Sequence, residues 1–335
     1  MKFKVFIGVD VSKETLDYAV FYQGDILFHL QGENSAKGIK SFMKLLSNTI
    51  VADQSELLFC MEHTGIYCNH LLAFVEKNQI ALWFESPAEI RAFYGLLRGK
   101  NDKLDAKRIA EYAYSKRDKI KLYEPPRQIV KQLKYLLKIR ERLVNTRKRL
   151  KTPIREADGF VDQSLVKTEK KLFNPILVQI ELKIKEVEKQ INQLIKEDPE
   201  LKRLYAIVSS VMGVGFVIST HMIVSTNEFK TISDPNKMAC HCGVAPFEYQ
   251  SGKSIKGKSK VSHRADKGLK WLMHMAAMSA IKADKELGNY YARKVEEGKN
   301  KMLVLNAVRN KIIHRVFSCV SQNRKYEKNY IRMLV

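Results

Sequence analysis

Long apolar runs are absent from this chain. No stretch approaches the roughly 18 uninterrupted apolar residues of a membrane-crossing helix, so no membrane partner is expected. The opening Met-Lys-Phe-Lys-Val-Phe-Ile-Gly-Val-Asp is too short in its apolar part for a signal peptide and runs straight into an acid. A cytoplasmic location is the expectation. Cysteine is also scarce. Cys60, Cys68, Cys240, Cys242 and Cys319 are odd in number and unevenly placed, which fits a reducing compartment. Cys240-His241-Cys242 invites a zinc reading. A zinc site, however, takes four ligands and usually spaces paired cysteines by two or more residues. His263 is the only nearby addition, and buried free cysteines are the usual case.

Acid is the other shortage. Against 59 Lys and Arg stand 36 Asp and Glu, a net charge of +23 with a pI near 9.7. Buried lysine is rare, so the surplus lies on the surface. It predicts a polyanionic partner held through phosphate neutralisation and counterion release. Charge alone does not separate DNA from RNA, and a ribosome-associated or simply soluble basic protein shares it. Hydrophobic residues make up 45% of the 335, enough to bury real cores, so wholesale disorder is excluded. The length suggests two domains, or two plus a connector.

Strand patterns over residues 4–11, 17–21 and 26–30 are followed by a helical stretch over 35–46. A short strand at 57–61, a helix at 67–76, a strand at 80–84 and a helix from Asp102 complete the first region. Three hairpin-linked strands, then helix and strand in alternation, is the order of a ribonuclease-H-like α/β domain. Pro125-Pro126 marks a boundary. Beyond it, Leu133, Leu136, Leu137, Leu143 and Leu150 stripe one helix, and Ile176, Ile180, Ile184, Val187, Ile191 and Leu194 stripe another. That spacing is coiled-coil grammar. Asp158-Gly159 and the residues up to Asn174 are expected to separate the two helices into an antiparallel hairpin. It can be a dimerisation arm or the wall of a helical bundle. From Leu201 a third region begins, where Val211-Met212-Gly213-Val214-Gly215 resembles the glycine turn of a helix-hairpin-helix or a plain tight turn.

Four carboxylates stand out by position. Asp10 ends the first apolar strand, Glu62 ends Leu-Leu-Phe-Cys-Met, and Asp102 and Asp105 open a helix three residues apart, on one face. Mg²⁺ prefers oxygen ligands, and two such ions can activate the attacking oxygen and stabilise the leaving one in phosphodiester cleavage. Converging acids repel strongly without a cation. Each acid has a plainer alternative. Asp102 can be a helix N-cap, Asp105 a favourable first-turn charge, and Glu62 a surface acid before His63-Thr64-Gly65.

Residues 249–268 read Tyr-Gln-Ser-Gly-Lys-Ser-Ile-Lys-Gly-Lys-Ser-Lys-Val-Ser-His-Arg-Ala-Asp-Lys-Gly. Lys253, Lys256, Lys258, Lys260, Arg264 and Lys267 supply candidate phosphate contacts. The P-loop spacing occurs at Gly252, Gly257, Lys258 and Ser259, but no apolar strand precedes it. The segment is either a solvated basic loop or the seat of a serine nucleophile. Such a hydroxyl needs activation by a base, a lowered pKa or a metal.

Gly8-Val9-Asp10-Val11-Ser12-Lys13, Glu62-His63-Thr64-Gly65 and Lys100-Asn101-Asp102-Lys103-Leu104-Asp105-Ala106 resemble the DEDD motifs of a RuvC-like transposase domain. Gly243-Val244-Ala245-Pro246, Gln250-Ser251-Gly252, Gly257-Lys258 and Lys267-Gly268 resemble the C-terminal transposase domain of the same family, the insertion-sequence one-ten group. That group is related to the pilin-gene invertase, and the resemblance covers nearly the whole chain. It implies Mg²⁺ on Asp10, Glu62, Asp102 and Asp105, and a covalent phosphoserine link to DNA at Ser251, with Ser254 as second choice. It further implies a non-coding bridge RNA that pairs with target and donor DNA, and a homo-oligomer, dimer or tetramer. Two positions depart from the pattern: His63 follows Glu62, and Met212 stands in the glycine turn.

The resulting expectation is a RuvC-like (RNase H-like) α/β domain over residues 1–125, an antiparallel coiled coil over 126–200, and a mainly α-helical transposase domain over 201–335. The function expected is cleavage and rejoining of DNA strands. Its rivals are a water-using RuvC-type nuclease and a non-enzymatic RNA-binding scaffold.

Overall fold

The computed structural model describes residues 2–95, 101–251, 255–261 and 265–328. The chain divides at its proline pair into Met1–Pro125 and Pro126–Val335. In the first unit β1 (Val5–Val11), β2 (Thr15–Tyr22), β3 (Asp25–Glu33), β4 (Leu57–Glu62) and β5 (Ala81–Glu85) form one sheet in the order β3-β2-β1-β4-β5. β2 is antiparallel to both β1 and β3, whereas β4 runs parallel to β1 and β5 parallel to β4. β1 lies at the centre and is buried on both faces, which explains its nearly continuous apolar sequence.

The two faces are packed differently. Val5, Ile7, Val9 and Val11 point into a core shared with Ile39, Phe42 and Leu46 of α1 (Ala36–Thr49) and Leu71 and Val75 of α2 (Asn69–Lys77). On the other side Phe6, Ala19, Leu58 and Cys60 meet Ile90 of α3 (Pro87–Tyr94) and Ala106, Ile109 and Ala110 of α4 (Asp102–Ser115). Gly8 permits the closest approach. A Cβ there would fall 2.2 Å from the Ala106 carbonyl oxygen and 2.3 Å from the Ala110 nitrogen. The backbone of α4 therefore rests directly on β1, and its first turn is carried over the C-terminal end of that strand.

The second unit opens with α5 (Gln128–Glu156) and α6 (Gln163–Glu197). Arg140 pairs with Glu188 at 2.8 Å and Arg147 with Glu181 at 2.8 Å, so the two helices run side by side as a hairpin. The separation is shorter than the sequence suggests: α6 begins at Gln163, capped by the Asp162 side chain, and continues through Pro175. Pro175 is exposed, so water can satisfy the carbonyl that lacks an N–H partner there.

The hairpin's root shares one core with the helices that follow. Val130, Leu133, Leu137, Val187, Ile191 and Ile195 are buried in the same cluster as residues of α7 (Pro199–Val208), α8 (Phe216–Ser225), α10 (Lys267–Ala283) and α12 (Lys301–Ser321). α9 (Pro235–His241), the two-stranded sheet β6 (Pro246–Ser251) and β7 (Ile255–Val261), and α11 (Lys285–Glu296) complete the unit. Asn227, Glu228 and Phe229 after α8 all adopt positive φ, 49°, 60° and 62°, a costly run for residues with side chains. Arg127 anchors it: its guanidinium binds Asp198 at 2.7 Å and Glu228 at 3.0 Å, and the Glu228 side chain has no exposed surface. Among the described residues no helix is long and apolar enough to cross a membrane.

Candidate functional site: an acidic cavity and a serine-bearing hairpin

Asp10 is the penultimate residue of β1, and Glu62 is the last of the adjacent, parallel β4. Parallel neighbours place their C-termini at the same end of the sheet, so both acids emerge together there. α4 starts there too. Its N-cap is Asn101, whose side chain accepts from the Leu104 N–H at 3.3 Å, so Asp102 is the first helical residue and not the cap. Asp102 and Asp105 follow on one helical face. The four carboxylates line a single cavity of about 610 Å³, together with Ser12, Arg91 and Arg108.

The electrostatics of that cavity centre on Asp10. Burial, reinforced by the charges of Asp102, Asp105 and Glu62, raises its carboxyl from the ordinary 3.8 to about 6. The Val11 N–H donates to Asp10 Oδ1 at 3.1 Å and opposes the rise only weakly. Asp105 is turned to Arg108, whose Nη1 donates to Oδ1 at 2.9 Å. As the side chains stand, among the described residues no three Asp, Glu, His or Cys groups form a closed ligand set. The donor chemistry nonetheless suits a hard divalent cation: all four groups offer carboxylate oxygen, and their mutual repulsion is the kind a cation relieves.

Arg91 and Arg108 were not singled out in the sequence. Arg108 carried a signal, three residues after Asp105 on the same helical face; Arg91 carried none. Asp17 was also missed. It stands opposite Asp10 in the β1–β2 register and is buried, accepting from His29 Nε2 at 2.8 Å and Gln31 Nε2 at 3.0 Å. Its place within an apolar strand was the available signal.

The second set of candidate residues lies in the other unit. The basic segment expected as a loop contains a β-hairpin, in which Ser251 ends β6 and pairs with Ile255 of β7. Lys256, Lys258 and Lys260 belong to β7, and Lys267 opens α10. Lys253, Ser254, Arg264 and His263 lie outside the described residues. The hairpin's root is tightly held. The Asp266 N–H donates to the His241 carbonyl at 2.9 Å. Gly243, at φ +61°, lies so close to Ala265 that a Cβ would approach its methyl to 2.7 Å. Cys242, the C-cap of α9, is buried beside this root and Cys240 is partly buried; both are free thiols. Of the glycine turn between α7 and α8, Gly213 presses on α10, where a Cβ would meet the Ala276 carbonyl at 2.4 Å, while Gly215 faces open space.

Comparison with known proteins joins the two halves. A transposase model of the DEDD IS110 type matches residues 7–157. A model of the IS116/IS110/IS902 transposase family matches residues 205–292. The class is thus that of the transposases, enzymes that cut and recombine DNA. Within it, the chain belongs to the IS110 family. It is similar to the pilin gene-inverting protein of Moraxella bovis, 25% identical over 332 residues, which are 97% of this chain and 98% of the relative. The pilin gene-inverting protein of Moraxella lacunata matches over the same extent, also at 25% identity. An uncharacterized 43.6 kDa protein of insertion element IS110 from Streptomyces coelicolor is 26% identical over 141 residues, 42% of this chain and 34% of the relative.

Proposed function

We propose that this transposase uses two centres: a Mg²⁺ site on Asp10, Glu62, Asp102 and Asp105, and a serine nucleophile, Ser251, with Ser254 as the second choice. The observation that carries the proposal is the meeting of four carboxylates from three separated stretches around one cavity, with Asp10 driven up to about 6. Bound Mg²⁺ would supply charge stabilisation for phosphate oxygens. The chain's own part is positional. β1 and β4 fix the directions of Asp10 and Glu62, Gly8 seats α4 so that Asp102 and Asp105 face them, and Arg108 holds Asp105. On the hairpin, the Ser251 oxygen gives up its proton and attacks phosphorus, and the displaced sugar oxygen takes up a proton and leaves as a hydroxyl, so one P–O bond forms as another breaks and a phosphodiester is preserved for rejoining. Lys253, Lys256, Lys258, Lys260, Arg264 and Lys267 neutralise the phosphates alongside.

The strand order β3-β2-β1-β4-β5 supports reading residues 1–125 as RNase H-like, of the RuvC type. The paired α5 and α6 support a coiled-coil arm over 126–200 that serves homo-oligomer assembly, as a dimer or tetramer; residues 201–335 are the C-terminal transposase domain. A net charge of +23 suits a protein that holds DNA and a bridge RNA together. Inverting a gene, as the names of the Moraxella relatives describe, requires both cutting and rejoining.

The test is cleavage of supercoiled DNA carrying the element ends, with the flanking RNA, in Mg²⁺ and in EDTA. Glu62→Gln and Ser251→Ala are each expected to abolish strand joining. Undiminished cutting in EDTA would overturn the metal site. Undiminished cutting by Ser251→Ala would instead identify a nuclease that uses water.

A further inference from the structure

α12 is buried along most of its length by apolar residues, Val304, Val308, Ile312 and Val316 among them, yet it carries Arg309 in the same core at 5% exposure. No carboxylate pairs with this guanidinium among the described residues, and its Nε has no hydrogen-bond partner. A buried charge without a counter-ion is costly, and an apolar side chain of similar volume would fill the space better. Among the described residues Arg309 makes two polar contacts. Nη2 meets His274 Nδ1 of α10 at 2.6 Å, and Nη1 donates to Asn306 Oδ1 at 3.3 Å.

The second contact has a directional consequence. Arginine is only a donor, so it commits the oxygen of the Asn306 amide to its own side and turns the NH₂ group the other way. There Asn306 Nδ2 donates to the carbonyl of Val244 at 2.5 Å. Val244 lies two residues before β6, at the root of the hairpin that carries Ser251. A two-stranded hairpin is marginal by itself, so its direction is set where it is anchored. At about 3.3 Å per strand residue, Ser251 lies on the order of 20 Å beyond that anchor. A small rotation at Val244 is therefore amplified at the serine.

We infer that Arg309 and Asn306 are positioning residues for strand transfer: Arg309 orients the Asn306 amide, which fixes the root of the serine-bearing hairpin. This inference rests on the assignment of Ser251 under the proposed function. It explains why a charge is kept in an apolar core, since only a donor-only side chain enforces the required amide orientation.

The experiment compares the full-length Arg309→Met, Asn306→Asp and Arg309→Lys variants by three measurements: covalent protein–DNA adduct formation, non-covalent affinity for the same DNA, and thermal melting. Arg309→Met removes an uncompensated charge, and Asn306→Asp gives Arg309 the carboxylate it lacks while removing the donor to Val244. Neither is expected to lower the melting temperature. Both are expected to slow adduct formation at least about tenfold through misplacement alone, with DNA affinity unchanged within about twofold. Arg309→Lys is expected to restore part of the rate. Wild-type adduct rates in Arg309→Met and Asn306→Asp would overturn the inference. So would rates that fall only in proportion to melting temperature, which would make the cluster merely structural. Failure of the Ser251 assignment is read separately, by mapping the adduct to its peptide: an adduct on another residue removes the premise without involving Arg309.

Discussion

Replacing Asp10 by asparagine is expected to stabilise the metal-free protein above neutral pH, although it destroys the proposed metal site. The Asp10 carboxyl is held at about 6 in the fold, against the ordinary 3.8, by burial and by Asp102, Asp105 and Glu62. Between these values the folded protein binds more protons than the unfolded chain, so stability falls as the pH rises from about 4 through 6. At about 1.4 kcal/mol per pH unit, the full loss would be at most about 3 kcal/mol. Asp10 is only partly buried, and solvent screening reduces this to about 1–2 kcal/mol. Asp10→Asn removes the charge and recovers that amount at pH 8, while at pH 4 the two proteins should be nearly equal. Thermal melting in EDTA at both pH values, followed on the N-terminal unit's transition, should show a rise of roughly 5 °C at pH 8. Saturating Mg²⁺ should then reverse the order, since a ligand at 100 times its Kd stabilises the protein that binds it by about 2.7 kcal/mol. Equal melting of the two proteins at pH 8 in EDTA, or a variant less stable there, would refute the electrostatic account of the cavity.

Three other substitutions have defined outcomes. Gly8→Ala forces a methyl into the backbone of α4 and is expected to cost more than about 3 kcal/mol, with Mg²⁺ affinity lost as well because α4 carries Asp102 and Asp105; urea unfolding and metal titration check this. Arg127→Met removes the guanidinium from the buried Glu228, which keeps Lys230 at 3.3 Å, and a loss of about 3 kcal/mol is expected in urea unfolding, partly relieved by Glu228→Gln in the same chain. Asp17→Ala strips His29 and Gln31 of their common acceptor and should destabilise the first unit by about 1–3 kcal/mol, measured by the same unfolding.

The sheet was legible because its central strands are buried on both faces, so Val5, Ile7 and Val9 declare themselves without any partner being known. The carboxylates were legible because each closes a strand or opens a helix. The cations beside them were only half legible: Arg108 pairs with Asp105 one turn along α4, whereas Arg91 reaches the cavity only once α3 is packed. The break between α5 and α6 was drawn too long, from Asp158 up to Asn174, because α6 starts at Gln163 and runs on through Pro175, whose exposed position lets water replace the missing bond. The hairpin of β6 and β7 was hidden by its composition, since lysine and glycine are poor strand residues and the pairing of Ser251 with Ile255 is set by register rather than propensity. Arg309 was illegible for a related reason. In sequence it is one basic residue among 59 Lys and Arg, and only burial against His274 and Asn306 distinguishes it.

Serine chemistry at Ser251 stands or falls on the recovery of a covalent protein–DNA adduct. Purified protein, element-end DNA, the flanking RNA and Mg²⁺ are combined, the reaction is stopped in denaturant, and the bound peptide is identified by mass spectrometry. A phosphodiester on Ser251 is expected, absent from Ser251→Ala and absent when Asp10→Asn replaces the wild type. Cleaved DNA with no attached peptide, unchanged in Ser251→Ala, would contradict it.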